Sequence, residues 1–540
     1  MKLEKFNWPT LILLIIFLIS AFNIFFNLGD KTLHQDENLH FSTAYGFKET
    51  GEFVKWDFLN NRPLEKYTRN FIYTYAVYVS NSIFGWSEFG TRLPGAIIGL
   101  FGTILIYFVA LLIFKKQALA LAASYIYAIN DVIIYFSRFA RGYIFLIFIS
   151  IILFYLSYLI SKSNNANKTI KLIGISFLLF ILGLHFHPTT ILFLPAFLIS
   201  TSLFFLRNYS IKRYHAIYLL FLLGFLFIFL NVIGKINALP YLNFEEHISL
   251  DFEIKNYTFI YLEHLSNPYN FSYNLLFFLP LLLIILWKKN KELSYNFFSF
   301  VFIPLMISAY MFNRYEDFRY IALIQPIFII LIPALIYYSI NLLRLKNIWK
   351  ITFFIILILL TIPFQFPGLQ DNKFFTQESQ ATWENIEAGR IHRRAATPDL
   401  EKTFDWIFNQ QSERITIIKP SDGGINWDDN YYLSKYLEIY PQKKLILYQE
   451  TDYYSGRFDE IYHHSKYYNS LAKNVPYHEL IYGPETYIIA NLRHLMNQSL
   501  LNELERNCSN IAGEIEVSKF NYFEDYSKSV NNYYPNVFVC

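Results

Sequence analysis

One short polar stretch, His34-Gln35-Asp36-Glu37-Asn38-Leu39-His40, follows directly on the first long apolar run of the chain. Two adjacent carboxylates flanked by histidines at the edge of a membrane helix are costly unless they are solvated or used. Their natural chemistry is proton abstraction, in which a carboxylate takes the proton of a hydroxyl or amine as that group attacks an electrophile. Basic residues recur further along. Arg62, Lys66 and Arg69 lie in NRPLEKYTRN, Arg138 and Arg141 in SRFAR, and Arg314 and Arg319 in NRYEDFRY. Arginine holds phosphate through paired, charge-assisted hydrogen bonds. A base, a set of phosphate-holding cations and a lipid-facing setting suit group transfer from a lipid-linked phosphate donor.

Each of these residues also has a plainer reading. Taken alone, Asp36 and Glu37 read more simply as ordinary loop acids, or as acids that cap and favourably charge the start of a following helix. Arg138 and Arg141 follow an apolar run and suit anchors that snorkel to the headgroups. Arg314 and Arg319 can pair locally with Glu316 and Asp317. His185 and His187 flank a helix break at Pro188 and read more simply as interfacial residues than as metal ligands. Asp131 lies inside an apolar run, two helical turns before Arg138 and on nearly the same face, which makes it a further candidate.

The elements that must position these groups are membrane helices. Of 540 residues, 54% are hydrophobic and only 16% charged, far from the balance of a soluble globular domain. Apolar runs long enough to cross about 30 Å of hydrocarbon recur along the first two thirds, giving about eleven spans. They fall near residues 9–28, 92–114, 118–137, 142–161, 171–186, 188–206, 214–233, 273–287, 296–312, 320–341 and 350–366. With the N-terminus cytoplasmic, every inner loop is basic: Lys2 and Lys5, Lys115 and Lys116, Lys162, Lys168 and Lys171, and so on to Lys346 and Lys350. Residues 67–86 are apolar enough to tempt a twelfth span, but counting them would invert all later loops, so they read as interfacial helices.

The expected architecture is therefore an α-helical polytopic membrane domain over 1–366, with residues 28–91 as its first outer loop. An extracytoplasmic α/β domain follows over 367–540. In it RITIIKP (414–420), KLILYQE (444–450), ETYIIANL (485–492) and GEIEVSKF (513–520) read as strands, with helical stretches near 399–411, 430–439 and 491–506. The outer side then collects the acidic pair and the unusual basic clusters. The only cysteines, Cys508 and Cys540, are too few for a cysteine-built zinc site, and both pairing and two free thiols stay open.

Read in order, these pieces resemble a known family, the polyprenyl-phosphate-sugar-dependent membrane glycosyltransferases of the GT-C class. That class includes protein O-mannosyltransferases and lipid A aminoarabinose transferases. The likeness rests on HQDENLH, NRPLEKY, SNSIFGWSEFGTRLPGAIIGLFG, YFSRFARGYIF, HFHPTT and NRYEDFRYIALIQP. It implies a sugar moved from a polyprenyl (dolichyl or undecaprenyl) phosphate to a protein, lipid or glycan acceptor at the outer face, with inversion. Asp36 would be the catalytic base and Glu37 its support. Arg138 and Arg141 match the family's basic pair, and Lys66 is the nearest match to its first-loop lysine. The usual Lys-Pro-Pro is here Arg62-Pro63-Leu64, so the choice among Arg62, Lys66 and Arg69 for the phosphate stays open. No cofactor is required on this reading, with a divalent cation as the alternative, and nucleic acid is not a partner. The expected location is the plasma membrane. A lipid-linked oligosaccharide transferase or ligase, and a lipid-linked-sugar flippase or transporter, are the rival functions.

Overall fold

The computed structural model describes residues 8–30, 33, 35–67, 70–163, 165–194, 197–198, 288, 290–302, 304, 322–342, 346–359, 400–410, 414–419, 428–450, 457–463, 475–476, 486–490, 506, 508–510 and 536–539. Contacts group the chain into two compact units. The first comprises Met1–Leu28, Thr68–Gly85 and Phe89–Gln377, and the second Gly29–Tyr67, Trp86–Glu88 and Glu378–Cys540. Residues 29–67 of the expected first outer loop thus group with the C-terminal region rather than with the spans.

The first unit is helical. Its elements are α1 (Trp8–Phe25), α3 (Phe71–Phe84), α4 (Glu88–Phe114), α5 (Gln117–Ile129), α6 (Asp131–Arg138), α7 (Tyr143–Lys162), α8 (Ala166–Phe186), α9 (Lys291–Phe297), α10 (Gln325–Leu342) and α11 (Asn347–Leu359). Among the described residues four helices are long and apolar enough to cross a membrane, or five if α5 and α6 count as one bent span. The chain is a multi-pass membrane protein. The spans expected at 214–233 and 273–287 lie outside the described residues. Helix α3, within the segment weighed as a twelfth span, has 14 residues, about 21 Å of rise and too short to cross. Its exposed stripe is Phe71, Tyr75, Val79 and Ile83. Gly85, at φ 92°, ends it and permits the tight corner into α4, where Ser80 Oγ donates to the Gly90 carbonyl at 2.6 Å.

Small and polar residues set the close packing of the spans. Gly99 and Gly102 of α4 lie where any Cβ would overlap Ser137 Oγ and the Tyr127 hydroxyl. Lipid offers no hydrophobic drive between helices, so backbone approach at small residues and interhelical hydrogen bonds hold them. Ser20 and Thr103 share a 2.8 Å hydrogen bond, Ser124 Oγ donates to the Thr103 carbonyl, and Asn23 Nδ2 donates to the Ala128 carbonyl at 3.1 Å. The third expected span is broken: α5 and α6 meet at 56°. Asn130 caps the second piece, its side chain accepting from Ile133 N. Asp131 is therefore the first residue of a new helix rather than a residue inside one continuous span.

The second unit holds α2 (Gln35–Thr50), a hairpin of β1 (Val54–Asp57) and β2 (Arg62–Lys66), and a C-terminal sheet. That sheet contains β3 (Arg414–Lys419), β4 (Lys444–Glu450), β5 (Arg457–His463), β6 (Val475–Pro476), β7 (Thr486–Ala490), β8 (Ser509–Asn510) and β9 (Asn536–Val539). The order is β6-β5-β4-β3-β7-β9-β8, with β3 parallel to both β4 and β7 and the outer pairs antiparallel. Helices α12 (Leu400–Phe408) and α13 (Asp428–Ile439) cover it, burying Phe404, Phe408, Ile415, Ile417, Tyr432 and Leu445 in one core. The strand expected at 513–520 lies outside the described residues, and β5 and β9 were not anticipated. Cys508, beside β8, is disulfide-bonded, and Cys540 is the chain's only other cysteine.

Candidate active site

The acidic pair opens a helix. Asp36 and Glu37 stand in the first turn of α2, where backbone N–H groups have no partner within the helix. The helix is buried through polar positions as well as through Phe41 and Ala44. Glu37, Asn38, His40, Ser42 and Thr43 are all essentially inaccessible. Ser42 and Thr43 turn their hydroxyls back to the Leu39 carbonyl. The amide nitrogen and oxygen of Asn38 are fully buried and have no hydrogen-bond partner among the described residues. His34 lies outside the described residues.

Aromatic packing fixes this helix. Phe41 stacks on Phe58 at 5.7 Å and meets Tyr431 edge-on at 4.6 Å, while Tyr45 meets Trp86 edge-on at 4.9 Å. Leu33 N donates to the Tyr432 hydroxyl at 2.8 Å, and that hydroxyl donates to Glu88 Oε1 at 2.6 Å. Gly46 allows the end of α2 to lie against β1, since a Cβ there would overlap the Val54 carbonyl oxygen.

The hairpin presents the first-loop cations. Asn61, at φ 48°, makes the turn, and Asp57 accepts from both Asn60 nitrogens. Arg62 Nε lies 3.5 Å from Asp57 Oδ2, Lys66 Nζ 2.7 Å from Glu52, and Lys55 pairs with Glu65. Lys66 and Glu52 are both well exposed, and pairs of that kind contribute little, so Lys66 exchanges readily for a stronger anion. Arg69 lies outside the described residues, as do Arg314 and Arg319.

In the first unit Arg138 performs a structural task. Its guanidinium donates to the carbonyls of Ile24, Phe26 and Asn27 at 3.0, 2.6 and 3.0 Å, with Asn23 O at 3.4 Å. It thereby caps the C-terminal end of α1, where carbonyls lack helical partners. Arg92, which the sequence did not single out, is buried and donates to the Leu28 carbonyl at 3.1 Å. Its signal was a charge in the first turns of an otherwise apolar helix. Arg141 follows in the short link between α6 and α7.

The histidines also have local partners. His185 Nε2 accepts from Ile72 N at 3.2 Å, with Phe71 edge-on at 4.4 Å, which leaves Nδ1 as the protonated nitrogen. The His187 ring lies 4.7 Å from that of Tyr143. Among the described residues no group of three or more His, Cys, Asp or Glu side chains is placed to hold a metal ion. Of the candidates, Asp36, Glu37, Arg62 and Lys66 share the second unit, and Asp131, Arg138, Arg141, His185 and His187 share the first.

Comparison with known proteins adds the following. Residues 69–233 match the family model described as dolichyl-phosphate-mannose-protein mannosyltransferase. Among solved structures, the chain is similar to ArnT from Cupriavidus metallidurans in the apo state, at 11% identity and TM-score 0.49, covering 98% of this chain and 97% of that one. It is similar to the same protein bound to undecaprenyl phosphate, at 10% identity and TM-score 0.47, over 98% of each chain. It is also similar to the Archaeoglobus fulgidus oligosaccharyltransferase in complex with zinc and sulfate, at 11% identity and TM-score 0.43, over 78% of this chain and 61% of that one. No curated protein is a significant match. The matched segment runs from the end of the first loop through α3 to α8, taking in Arg92, Asp131, Arg138, Arg141 and both histidines. The match covers that segment, less than a third of the chain, and is a likeness to the dolichyl-phosphate-mannose-protein mannosyltransferase family over those residues.

Proposed function

We propose that the protein transfers a glycosyl group from a polyprenyl-phosphate sugar to an acceptor hydroxyl or amine at the outer face of the membrane, with inversion. The observation that carries this reading is the match of residues 69–233 to a family described by a dolichyl-phosphate-mannose donor. The acidic pair lies upstream of the matched segment, and its role rests on chemistry. Asp36 stands at the start of α2, and as a carboxylate it would accept the acceptor's proton. The acceptor oxygen or nitrogen attacks the anomeric carbon, the bond from that carbon to the phosphate oxygen breaks, and the acceptor proton passes to Asp36. Polyprenyl phosphate leaves with the bonding electrons, its gained charge met by basic side chains. The exchangeable Lys66 and Arg62 of the hairpin are first choices, with Arg141, Arg69, Arg314 and Arg319 as the remaining candidates. The reaction is balanced without a cofactor.

The disulfide at Cys508 supports an extracytoplasmic C-terminal region, because such bonds persist in oxidising compartments. Purified protein assayed with polyprenyl-phosphate mannose, alongside Asp36→Asn and Asp36→Ala, tests the proposal. Both variants are expected to lose at least about a hundredfold in turnover, the usual scale of a general base. Near-normal turnover in both, with intact folding, would remove Asp36 from the mechanism. Unchanged turnover after exhaustive chelation separates the metal-free reaction from one needing a divalent cation.

A further inference from the structure

Five lysines of the first unit lie at one end of its helices, where Glu292 is the acid among the described residues. Lys115 and Lys116 form the turn between α4 and α5, Lys162 ends α7, and Lys346 and Lys350 flank the start of α11. Lys116 Nζ donates to the Tyr337 hydroxyl near the end of α10 and lies 4.0 Å over its ring centroid. Lys350 is within electrostatic reach of the same hydroxyl, and Tyr338 is within reach of both Lys116 and Tyr158. Lys162 in turn lies 4.7 Å over the Tyr158 ring. The cations are thus held on neutral phenol rings, which orient an ammonium group while leaving its charge uncompensated. None of the ion pairs among the described residues involves Lys116, Lys162 or Lys350.

Beside this cluster α11 offers an unpartnered apolar face, with Ile348, Trp349, Ile351, Phe353, Ile355 and Ile356 all exposed. Trp349 stands at the same end as the lysines, where aromatic side chains mark headgroup depth. A ring of ammonium and phenol donors above a hydrocarbon-facing helix is complementary to one kind of molecule. We propose that this end of the first unit is a binding site for an anionic phospholipid, its phosphate held by Lys116, Lys162, Lys350 and the Tyr337 hydroxyl and its acyl chains lying along α11. The site is independent of the acidic pair, and its lysines belong to the loops that the charge pattern assigns to the cytoplasmic leaflet, which carries anionic lipid.

The test uses the full-length protein in lipid nanodiscs with phosphatidylglycerol and phosphatidylcholine in equal amounts. Native mass spectrometry of the released protein counts the lipids that it retains. Wild type is expected to retain phosphatidylglycerol in preference by at least about tenfold, since each lysine near an anionic headgroup adds a several-fold factor. The variant Lys116→Gln/Lys162→Gln/Lys350→Gln is expected to lose the preference. A control, Lys168→Gln/Lys171→Gln on the exposed start of α8, removes two charges of the adjoining turn that make no contact with Tyr337 or Tyr158 among those described, and is expected to keep it. No preference in wild type, an unchanged preference in the triple variant, or equal loss in the control would each overturn the site. Inorganic phosphate displacing the lipid at millimolar concentration would make this a free-anion site and overturn the lipid assignment. Tyr337→Phe, which keeps the ring and removes the hydroxyl, should lower the preference only several-fold.

Discussion

Replacing Arg138 separates two jobs that its position allows. If the guanidinium chiefly caps α1, Arg138→Ala destabilises the fold, whereas loss of a donor-phosphate ligand would leave the fold alone and raise the donor KM. The size of the effect follows from its partners. Nη1 carries two hydrogens but has three oxygens in range, so Asn23 O at 3.4 Å receives little and the bonds to Ile24 and Phe26 dominate, with Asn27 served by Nη2. The Ile24 carbonyl is partly buried, and stranding it costs about 1–3 kcal/mol. The Phe26 and Asn27 carbonyls lie near the surface, where water replaces the arginine at about 0.5 kcal/mol each. The total is roughly 2–4 kcal/mol. Arg138→Lys retains the charge but not the fork, so it should recover about half of that loss. The assay is thermal unfolding of the purified protein together with steady-state kinetics on the same samples. An unchanged unfolding midpoint in Arg138→Ala, with a donor KM raised tenfold or more, would refute the capping argument.

Three further substitutions test the packing around the acidic pair. Gly46→Ala drives a methyl into the Val54 carbonyl, a backbone atom that cannot swing aside, so a loss of about 3 kcal/mol or failure to fold is expected on size-exclusion chromatography. Tyr432→Phe removes both the donor to Glu88 and the acceptor for Leu33 N; unfolding should come earlier by about 1–3 kcal/mol, and an unchanged midpoint would show that water fills both roles. Asn38→Leu replaces a buried amide, unpartnered at both ends among the described residues, by a side chain of similar size. It should leave the unfolding midpoint level or raise it by about 1 kcal/mol, while turnover falls if the amide serves the substrate; a lowered midpoint with full turnover would contradict this.

What the sequence disclosed, and what it withheld, divides along physical lines. Long apolar runs announce α1, α4, α7 and α8 because hydrocarbon thickness sets a minimum length that few other elements need. Strands β3 and β4 were legible as short β-branched and apolar runs between turns. Helix α2 was signalled only by the acids at its start, because HQDENLHFSTAYGFKET carries no apolar period; polar residues and the aromatic contacts of Phe41 and Tyr45 bury it. The hairpin was silent. Pro63 and the charges of Arg62, Glu65 and Lys66 disfavour a strand by propensity, and the pairing is held by Asn61 in the left-handed conformation and by cross-strand ion pairs.

The arginines show the deeper reason. In a membrane chain, hydropathy tells which charges must escape lipid, but an arginine escapes it as well by meeting a carbonyl as by meeting a phosphate. Arg138 and Arg92 are separated from their acceptors by more than sixty residues, a distance across which spacing carries no information. Both converge on the few residues that end α1 and lead towards Asp36, from Ile24 to Leu28. The frayed carbonyls of that helix end therefore find fixed donors instead of water, which removes the local freedom that a helix terminus ordinarily has. Basic residues that read as a phosphate cradle in one dimension are in part the means by which the chain fixes the end of α1, and the substitutions at Arg138 and Lys66 should separate accordingly: the first in unfolding, the second in donor KM.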